Sequence, residues 1–204
     1  MAPDRSGCTG LPDRVRIDSA MSTASRRRPT DERFKEVFDL LEREIERRWE
    51  VPVKISDVPA PFTGDLDGAE IAIDYENDVE AALFLVAHLF GHTVQWNVRP
   101  DARDLAVRAQ AHPSDETLSA LEKYEREACE YSLMLLHESG IHDLDQWLTD
   151  FAHCDFAYLR HFYATGTKAA FFDFWIEGNE LLEPRAIPFF RPQRWKSRWD
   201  GIVV

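Results

Sequence analysis

The chain has 204 residues, 44% of them hydrophobic, and a formal net charge of -13. This length predicts one core and one domain, and the negative charge disfavours binding to nucleic acid or to an anionic membrane. Three cysteines are too few for a disulfide framework, and the sequence shows neither a membrane-spanning apolar run nor the apolar centre of a secretory signal. We therefore expect a cytoplasmic protein.

Residues 1–29 are rich in Ser, Pro, Gly and Arg and lack a periodic apolar pattern, which predicts a disordered N-terminal arm. Residues 30–204 are expected to form the single domain. Its first helix begins after Thr30, a good N-cap residue, and ends before Pro52. The apolar face of this helix consists of Phe34, Val37, Phe38, Leu41, Ile45 and Trp49.

A short β region follows this helix. Val53 and Ile55 indicate one strand within residues 51–58, and residues 59–68 contain enough Pro, Gly and Asp to form a loop. The alternation of Ile71, Ile73 and Tyr75 indicates a second strand. The sequence thus predicts an α+β fold, mostly helical, with a small antiparallel sheet.

Asn77 and Glu80 have the spacing of a capping box, which predicts that the next helix begins here and continues to about Asn97. Its residues are apolar on nearly every side, as in helices that are buried at the centre of a protein. This helix contains the most informative motif of the chain, His88-Leu89-Phe90-Gly91-His92.

Two histidines four residues apart lie on one face of a helix, as two ligands of one metal ion do. Burying His88 and His92 requires a partner for each imidazole, and a shared metal ion satisfies both. Gln95 lies on the same face. Gly91 weakens a helix by about 1 kcal/mol relative to Ala, which indicates that another element approaches closely beside the histidines.

A third ligand is expected from the helix that begins at Ser114, continues to about His137 and ends at Gly140. Glu125 falls within the apolar stripe of this helix, where a carboxylate is costly unless a cation meets it. Glu127 is expected on the opposite, polar side. The sequence therefore predicts a metal site formed by His88, His92 and Glu125.

The order of a helix, two strands, a His-x-x-Gly-His helix and a later Glu-x-x-Ala helix resembles the ImmA/IrrE-type zinc peptidases, a branch of the gluzincins. The resemblance covers residues 30–138 and implies a zincin-like fold. It also implies that His88, His92 and Glu125 match the zinc ligands, with Ala128 matching the small residue after the third ligand.

Two departures from that family bear on activity. Leu89 stands where the family has the glutamate that takes a proton from metal-bound water, so peptidase activity is not expected. Cys129 stands where the family has an Asp or Asn that orients a ligand histidine. If zinc is not bound, a hydrogen-bonded pair of Glu125 with His88 or His92 remains as a general acid/base unit.

Helices are expected over residues 143–153, 156–163 and 168–176, the last two short, and an extended segment from Glu183 onward because of Pro184, Pro188 and Pro192. This region is rich in aromatic residues, namely Phe171, Phe172, Phe174 and Trp175. Their density predicts core packing, an apolar pocket or a subunit interface.

The tail also contains Arg191, Arg194 and Arg198 among tryptophans, a basic segment in an acidic protein. The favoured interpretation is that it docks on the acidic surface of the protein itself. The alternative is that these arginines, together with Gln95, bind an anionic substrate group, for which guanidinium geometry is well suited.

Three functions follow, in order of preference. The first is a non-peptidase enzyme, or a subunit of one, that uses His88, His92 and Glu125 on a small substrate, which is anionic if the tail arginines bind it. The second is a non-catalytic subunit of a heteromeric complex. An active metallopeptidase comes last.

Overall fold

The structure is a computed structural model that describes residues 28–59, 62–108 and 113–195. The arm predicted for residues 1–29 lies outside this part of the chain except for Arg28 and Pro29. The helices are α1 (Asp31–Trp49), α2 (Val79–Val98), α3 (Pro100–Arg108), α4 (Asp115–Glu138) and α5 (Asp145–Thr165), and the strands are β1 (Val53–Ser56), β2 (Gly64–Leu66) and β3 (Ile71–Asp74).

The predicted first helix is confirmed as α1. The Thr30 side chain accepts a hydrogen bond from the Arg33 amide and caps its N-terminus, and Glu50 ends the helix in a left-handed conformation. Five residues of the predicted apolar face are buried, namely Phe34, Val37, Phe38, Leu41 and Ile45. This face packs against α2.

The sheet differs from the prediction. It has three strands in the order β1-β3-β2, in which β1 pairs with β3 in parallel and β2 pairs with β3 antiparallel, so the sheet is mixed. Strand β2 lies within the segment predicted to be a loop. Gly64 and Asp65 resemble turn residues in sequence, but pairing with Ile73 and Ala72 buries them, and a short strand forms by tertiary pairing.

Helix α2 lies at the centre of the protein, between α1 and α4 and against the sheet. Fourteen consecutive positions, 83–96, are buried, as the apolar sequence predicted. Its N-cap is Asp78, which accepts a hydrogen bond from the Ala81 amide. The predicted cap Asn77 instead bonds to the carbonyl groups of Thr63 and Asp74 and joins the helix start to the sheet.

Helix α4 packs closely against α2 at Gly91. A methyl group at Gly91 would lie closer than 3.0 Å to the backbone of Ala128, a distance that real Cβ atoms do not reach. The predicted boundaries of α4 are confirmed, because Ser114 caps its N-terminus and Gly140 follows its last turn with a positive φ. The close approach sets the spacing of the two helices where the predicted metal ligands lie.

The C-terminal third contains one long helix where two were predicted. Helix α5 is continuous from Asp145 to Thr165 because no Gly or Pro interrupts it before Gly166, which has a φ of 68°. The segment 168–176 forms a single 3-10 turn at Phe171–Phe174. Residues 175–195 contain neither helix nor strand, which agrees with the extended segment predicted from Glu183 as far as Trp195; the rest of that segment lies outside the described residues.

The buried apolar side chains form one cluster that joins α1, the sheet, α2, α4 and α5, with Phe171 and Phe190 from the C-terminal third. Among the described residues, every helix is too short or too polar to cross a lipid bilayer.

Candidate metal centre

His88 and His92 lie one turn apart on α2 and face the same side, as the spacing predicted. Their exposed fractions are 2% and 1%, so both imidazoles are removed from solvent. The two Nε2 atoms are 3.0 Å apart. Aromatic rings hold both imidazoles in place, since Phe84 stacks on His88 and Tyr124 stacks on His92.

Glu125 reaches the same point from α4. Its Oε2 atom lies 3.0 Å from Nε2 of His92 and 3.2 Å from Nε2 of His88, and its side chain is 14% exposed. The three residues predicted as ligands are thus brought together in the fold. They form a group that could hold a metal ion.

The surroundings of Gln95 fix the protonation of His92. Nε2 of Gln95 donates both of its hydrogens, one to the Tyr124 carbonyl and one to Glu127 at 2.8 Å. Its Oε1 therefore faces Nδ1 of His92 at 2.8 Å, and a carbonyl oxygen can only accept. Nδ1 of His92 must carry a proton, so a neutral His92 presents a bare lone pair at Nε2.

This lone pair has consequences for the triangle of donor atoms. A neutral His92 places an acceptor 3.0 Å from both the Glu125 carboxylate and Nε2 of His88. If Nε2 of His88 is bare as well, the three acceptors repel one another unless a metal cation lies among them, whereas a proton on that nitrogen donates to its neighbours. The geometry is consistent with both forms that the sequence left open, the metal site and the acid/base pair.

Cys129 is compatible with either form. Its Sγ lies 3.3 Å from Nδ1 of His88. Burial raises the pKa of the Cys129 thiol well above its usual value, so the sulfur keeps its proton. A thiol can accept a hydrogen bond from a protonated Nδ1, as metal binding at Nε2 requires, or donate to a bare one.

Burial and charge act on the site in opposite directions. Burial lowers the pKa of His88, which disfavours the imidazolium. For Glu125, burial raises the pKa, but the contacts with His92 and His88 outweigh it and bring the pKa to about 2. The site therefore contains an ionised carboxylate beside neutral His88.

The distances suit a small tetrahedral cation. Zinc binds imidazole nitrogen and carboxylate oxygen at about 2.0 to 2.2 Å, which places neighbouring ligand atoms roughly 3.3 Å apart. The observed separations of 3.0 to 3.2 Å need little adjustment. Three protein ligands leave one position for water or a substrate, which is the arrangement of catalytic sites.

Glu127 does not lie on the polar face as predicted. It is 8% exposed and bonds to Gln95 and to Arg99. A chain of hydrogen bonds thus leads from Nδ1 of His92 through Gln95 to Glu127. The prediction failed because α4 is covered on a second side by Arg99 and Arg185, which neutralise the carboxylate.

A small cavity adjoins Glu125. Its volume is about 20 Å³, enough for a single water molecule, and its walls are mainly apolar. They include Leu118, Leu121, Phe156, Leu159 and Tyr163. The substituents that can approach Glu125 through this space are small.

Sequence reasoning missed Asp155 on α5. Burial raises the pKa of its carboxyl well above the usual range, and the charge of Glu125 raises it further. The sequence contained a signal for this residue. Asp155 lies on the same helix face as the apolar residues Leu148 and Phe151, and a carboxylate in an apolar stripe was the reason for selecting Glu125.

Two of the four predicted substrate-binding residues, Gln95 and Arg194, have other partners in the fold. Gln95 is fully buried and its amide is used by His92, Tyr124 and Glu127. Arg194 bonds to buried Asp67 at 2.6 Å, and Arg191 is exposed. Arg198 lies outside the described residues.

Residues 191–195, which we call the C-terminal strap, lie against the turn after β2 and the end of α2. The Trp195 amide donates to the Asp67 carbonyl, the Gln193 amide donates to Asn97, and the Arg103 guanidinium lies over the Trp195 ring. The strap therefore docks on the protein's own surface at an acidic residue, as in the favoured interpretation of the tail.

A larger cavity of about 510 Å³ lies elsewhere, between the start of α2, the start of α5 and residues 175–178. Its charged lining is mainly acidic, with Glu80, Asp143, Asp150 and Glu177 against Arg28. It includes none of the three candidate ligands. Its charge does not suit an anionic substrate.

Comparisons with protein-family models, with curated proteins and with solved structures found no match. The resemblance to ImmA/IrrE-type peptidases accordingly rests on the order of the elements and the motif residues.

Proposed function

We propose that this protein binds a zinc-like divalent ion through His88, His92 and Glu125 and acts as a non-peptidase enzyme, or as the metal-binding subunit of one, on a small substrate. The observation that supports it is the convergence of two Nε2 atoms and one Oε2 within 3.2 Å, with His92 held in the ligating tautomer by Gln95. A bound ion would polarise a substrate oxygen or lower the pKa of a water molecule.

Two observations argue against peptide hydrolysis. Leu89 is fully buried and offers no carboxylate beside His88. The cavity next to Glu125 has room for a water molecule but not for a peptide chain. Both facts favour a reaction other than peptide hydrolysis.

An anionic substrate remains part of the proposal through Arg191, Arg194 and Arg198. Arg191 is exposed, whereas Arg194 would have to exchange Asp67 for the substrate. Comparing the activity of Arg191→Ala and Arg194→Ala on a candidate anion tests this part separately.

Elemental analysis of the purified protein tests the metal. In protein dialysed against metal-free buffer, so that only buried ions are counted, we expect close to one equivalent of zinc or a related ion in wild type and less than a tenth of that in His88→Ala and Glu125→Ala. Glu122→Ala is the matched control, because Glu122 lines the same cavity from α4 but pairs with Arg160. This variant should keep its metal.

Metal-free wild type that retains activity would contradict the metal proposal and favour the acid/base pair instead. In that case Glu125→Gln should abolish activity, because the amide neither accepts the proton nor charges the imidazole. Equal metal content in wild type and Glu125→Ala would remove Glu125 from the ligand set.

The second function, a non-catalytic partner subunit, is favoured by one observation. The extended C-terminal segment exposes large apolar side chains, with Phe189 86% exposed, Ile176 67% and Leu181 51%. Exposed apolar residues of this size often mark an interface. Light scattering after size exclusion tests it, since a lone monomer at micromolar concentration without a co-purifying chain counts against this function.

A further inference from the structure

A second group of potential metal ligands lies at the connection between α4 and α5. His137 is in the last turn of α4, His142 is in the connecting segment, and Asp145 is the first residue of α5. Each offers one ligand atom, and these atoms lie within 4.8 Å of one another. None of the three belongs to the site formed by His88, His92 and Glu125.

The contacts within this group already resemble a coordination set. Nε2 of His137 lies 2.9 Å from both carboxylate oxygens of Asp145. The ring of His142 lies 4.4 Å from the ring of His137, measured between centroids. Two imidazoles and one carboxylate favour zinc, copper or nickel over calcium and magnesium, which prefer ligand sets made of oxygen.

Solvent can reach this group. His142 is exposed, and the side chains of His137 and Asp145 are 22% and 25% exposed. An ion can therefore enter and leave without unfolding of the chain. The exposed side chain of His142 can also rotate toward the other two ligands.

The backbone between the ligands is already ordered. The Ile141 amide bonds to the Leu136 carbonyl and the Gly140 amide bonds to the His137 carbonyl, which closes the end of α4. Ile141 and Leu144 are buried and anchor the connection. Binding an ion here requires little additional ordering of the chain.

The local charges favour a cation. The C-terminus of α4 directs the negative end of its helix dipole toward His137. The neighbouring carboxylates of Asp143 and Glu138 are paired with Arg33 and Arg48, so Asp145 remains the carboxylate that faces the two rings. A divalent ion would meet one negative ligand and two neutral ones.

We propose that His137, His142 and Asp145 form a second, solvent-accessible binding site for a late first-row divalent metal ion, which ties the end of α4 to the start of α5. The site is independent of the function proposed above. An ion bound there joins two helices of the core through a short connection and stabilises the folded chain.

Calorimetric titration of Zn²⁺ into the full-length protein as purified tests the proposal. Wild type should bind one equivalent more than His142→Ala, or bind it at least tenfold more tightly. His161→Ala is the matched control, since His161 is a partly exposed histidine on α5 outside the group. His161→Ala should bind as many equivalents of Zn²⁺ as wild type does. Titration of wild type with Ca²⁺ should show no binding.

Two further measurements keep the outcomes distinct. Zn²⁺ should raise the melting temperature of wild type but not that of His142→Ala, because an ion that binds the native state alone stabilises it. His88→Ala should retain the titratable equivalent, which separates this site from the buried one. Identical titrations of wild type and His142→Ala, or an equal loss in His161→Ala, would overturn the proposal.

Discussion

Gln95 determines which nitrogen of His92 faces the other ligands. Its carbonyl oxygen accepts from Nδ1 of His92 while its amide hydrogens are held by Tyr124 and Glu127. Residues that orient a ligand in this way contribute strongly to metal affinity. The function of Gln95 in the structure is to position His92.

Gln95→Met should therefore weaken metal binding about 10- to 100-fold while preserving side-chain volume. The measurement is the dissociation constant for Zn²⁺ in competition with a chromophoric chelator. Thr93→Val is the control, because Thr93 is also buried on α2 and its hydroxyl donates to the Leu89 carbonyl of the same helix. If both variants bind zinc equally well, Gln95 has no orienting function.

The fold disfavours the ionised form of Asp155. Its pKa is raised by burial and by Glu125, so the native state binds a proton more readily than the unfolded chain does. The free energy of unfolding must then decrease as the pH rises above the usual aspartate range, until the native carboxyl is fully ionised.

Asp155→Asn should abolish this decrease and be more stable than wild type at neutral pH, with a smaller difference near pH 4. Urea unfolding between pH 4 and pH 8 measures it. Asp173→Asn removes the same charge from an exposed position and serves as the control. A wild-type stability that rises over this interval relative to Asp155→Asn would contradict the raised pKa.

At the scale of elements, the pairing of α2 with α4 positions the candidate ligands. Gly91 lies between His88 and His92, and its missing side chain lets the backbone of Ala128 approach. Ser132, one turn further along α4, donates to the Ala87 carbonyl and maintains the same contact. The glycine that weakens α2 as a helix is what allows Glu125 to reach the histidines.

Gly91→Ala should force the two helices apart, lower stability by about 1 to 3 kcal/mol and reduce metal content more than stability alone explains. Unfolding measurements and elemental analysis on the same preparation test it. Gly178→Ala is the control, because it is strained by its positive φ but has no atom near the added methyl group. It should lose stability and keep its metal.

At the scale of the whole molecule, the metal ion would join two of the central helices. Helices α2 and α4 supply the ligands, and both lie in the buried cluster. An ion that binds only the folded chain adds about 2.7 kcal/mol to the free energy of unfolding when its free concentration is about 100 times its dissociation constant.

Removal of the ion by a chelator should then lower the melting temperature by about 5 to 10 °C for a chain of this size. Calorimetry of treated and untreated wild type measures the change. In metal-free buffer, where the exposed group at His137 is empty, His92→Ala should melt at the same temperature with and without the chelator. An unchanged wild-type melting temperature would show that the buried site does not hold a stabilising ion under these conditions.

Sequence patterns alone predicted most of the helices and the three candidate ligands. The spacing of His88 and His92, the apolar length of α2 and the position of Glu125 in the stripe of α4 led to the three candidate ligands, because helical periodicity assigns each residue to a face. The caps Thr30 and Ser114 marked two helix starts, since their side chains bond to local amides.

The tertiary structure decided what depends on distant partners. Strand β2 and the parallel pairing of β1 arise from contacts with β3, and burial of Glu127 arises from Arg99 and Arg185. The protonation of His92 likewise depends on what Gln95 meets across the helix interface. Local sequence determines the face on which a side chain lies, but only packing determines what lies opposite it.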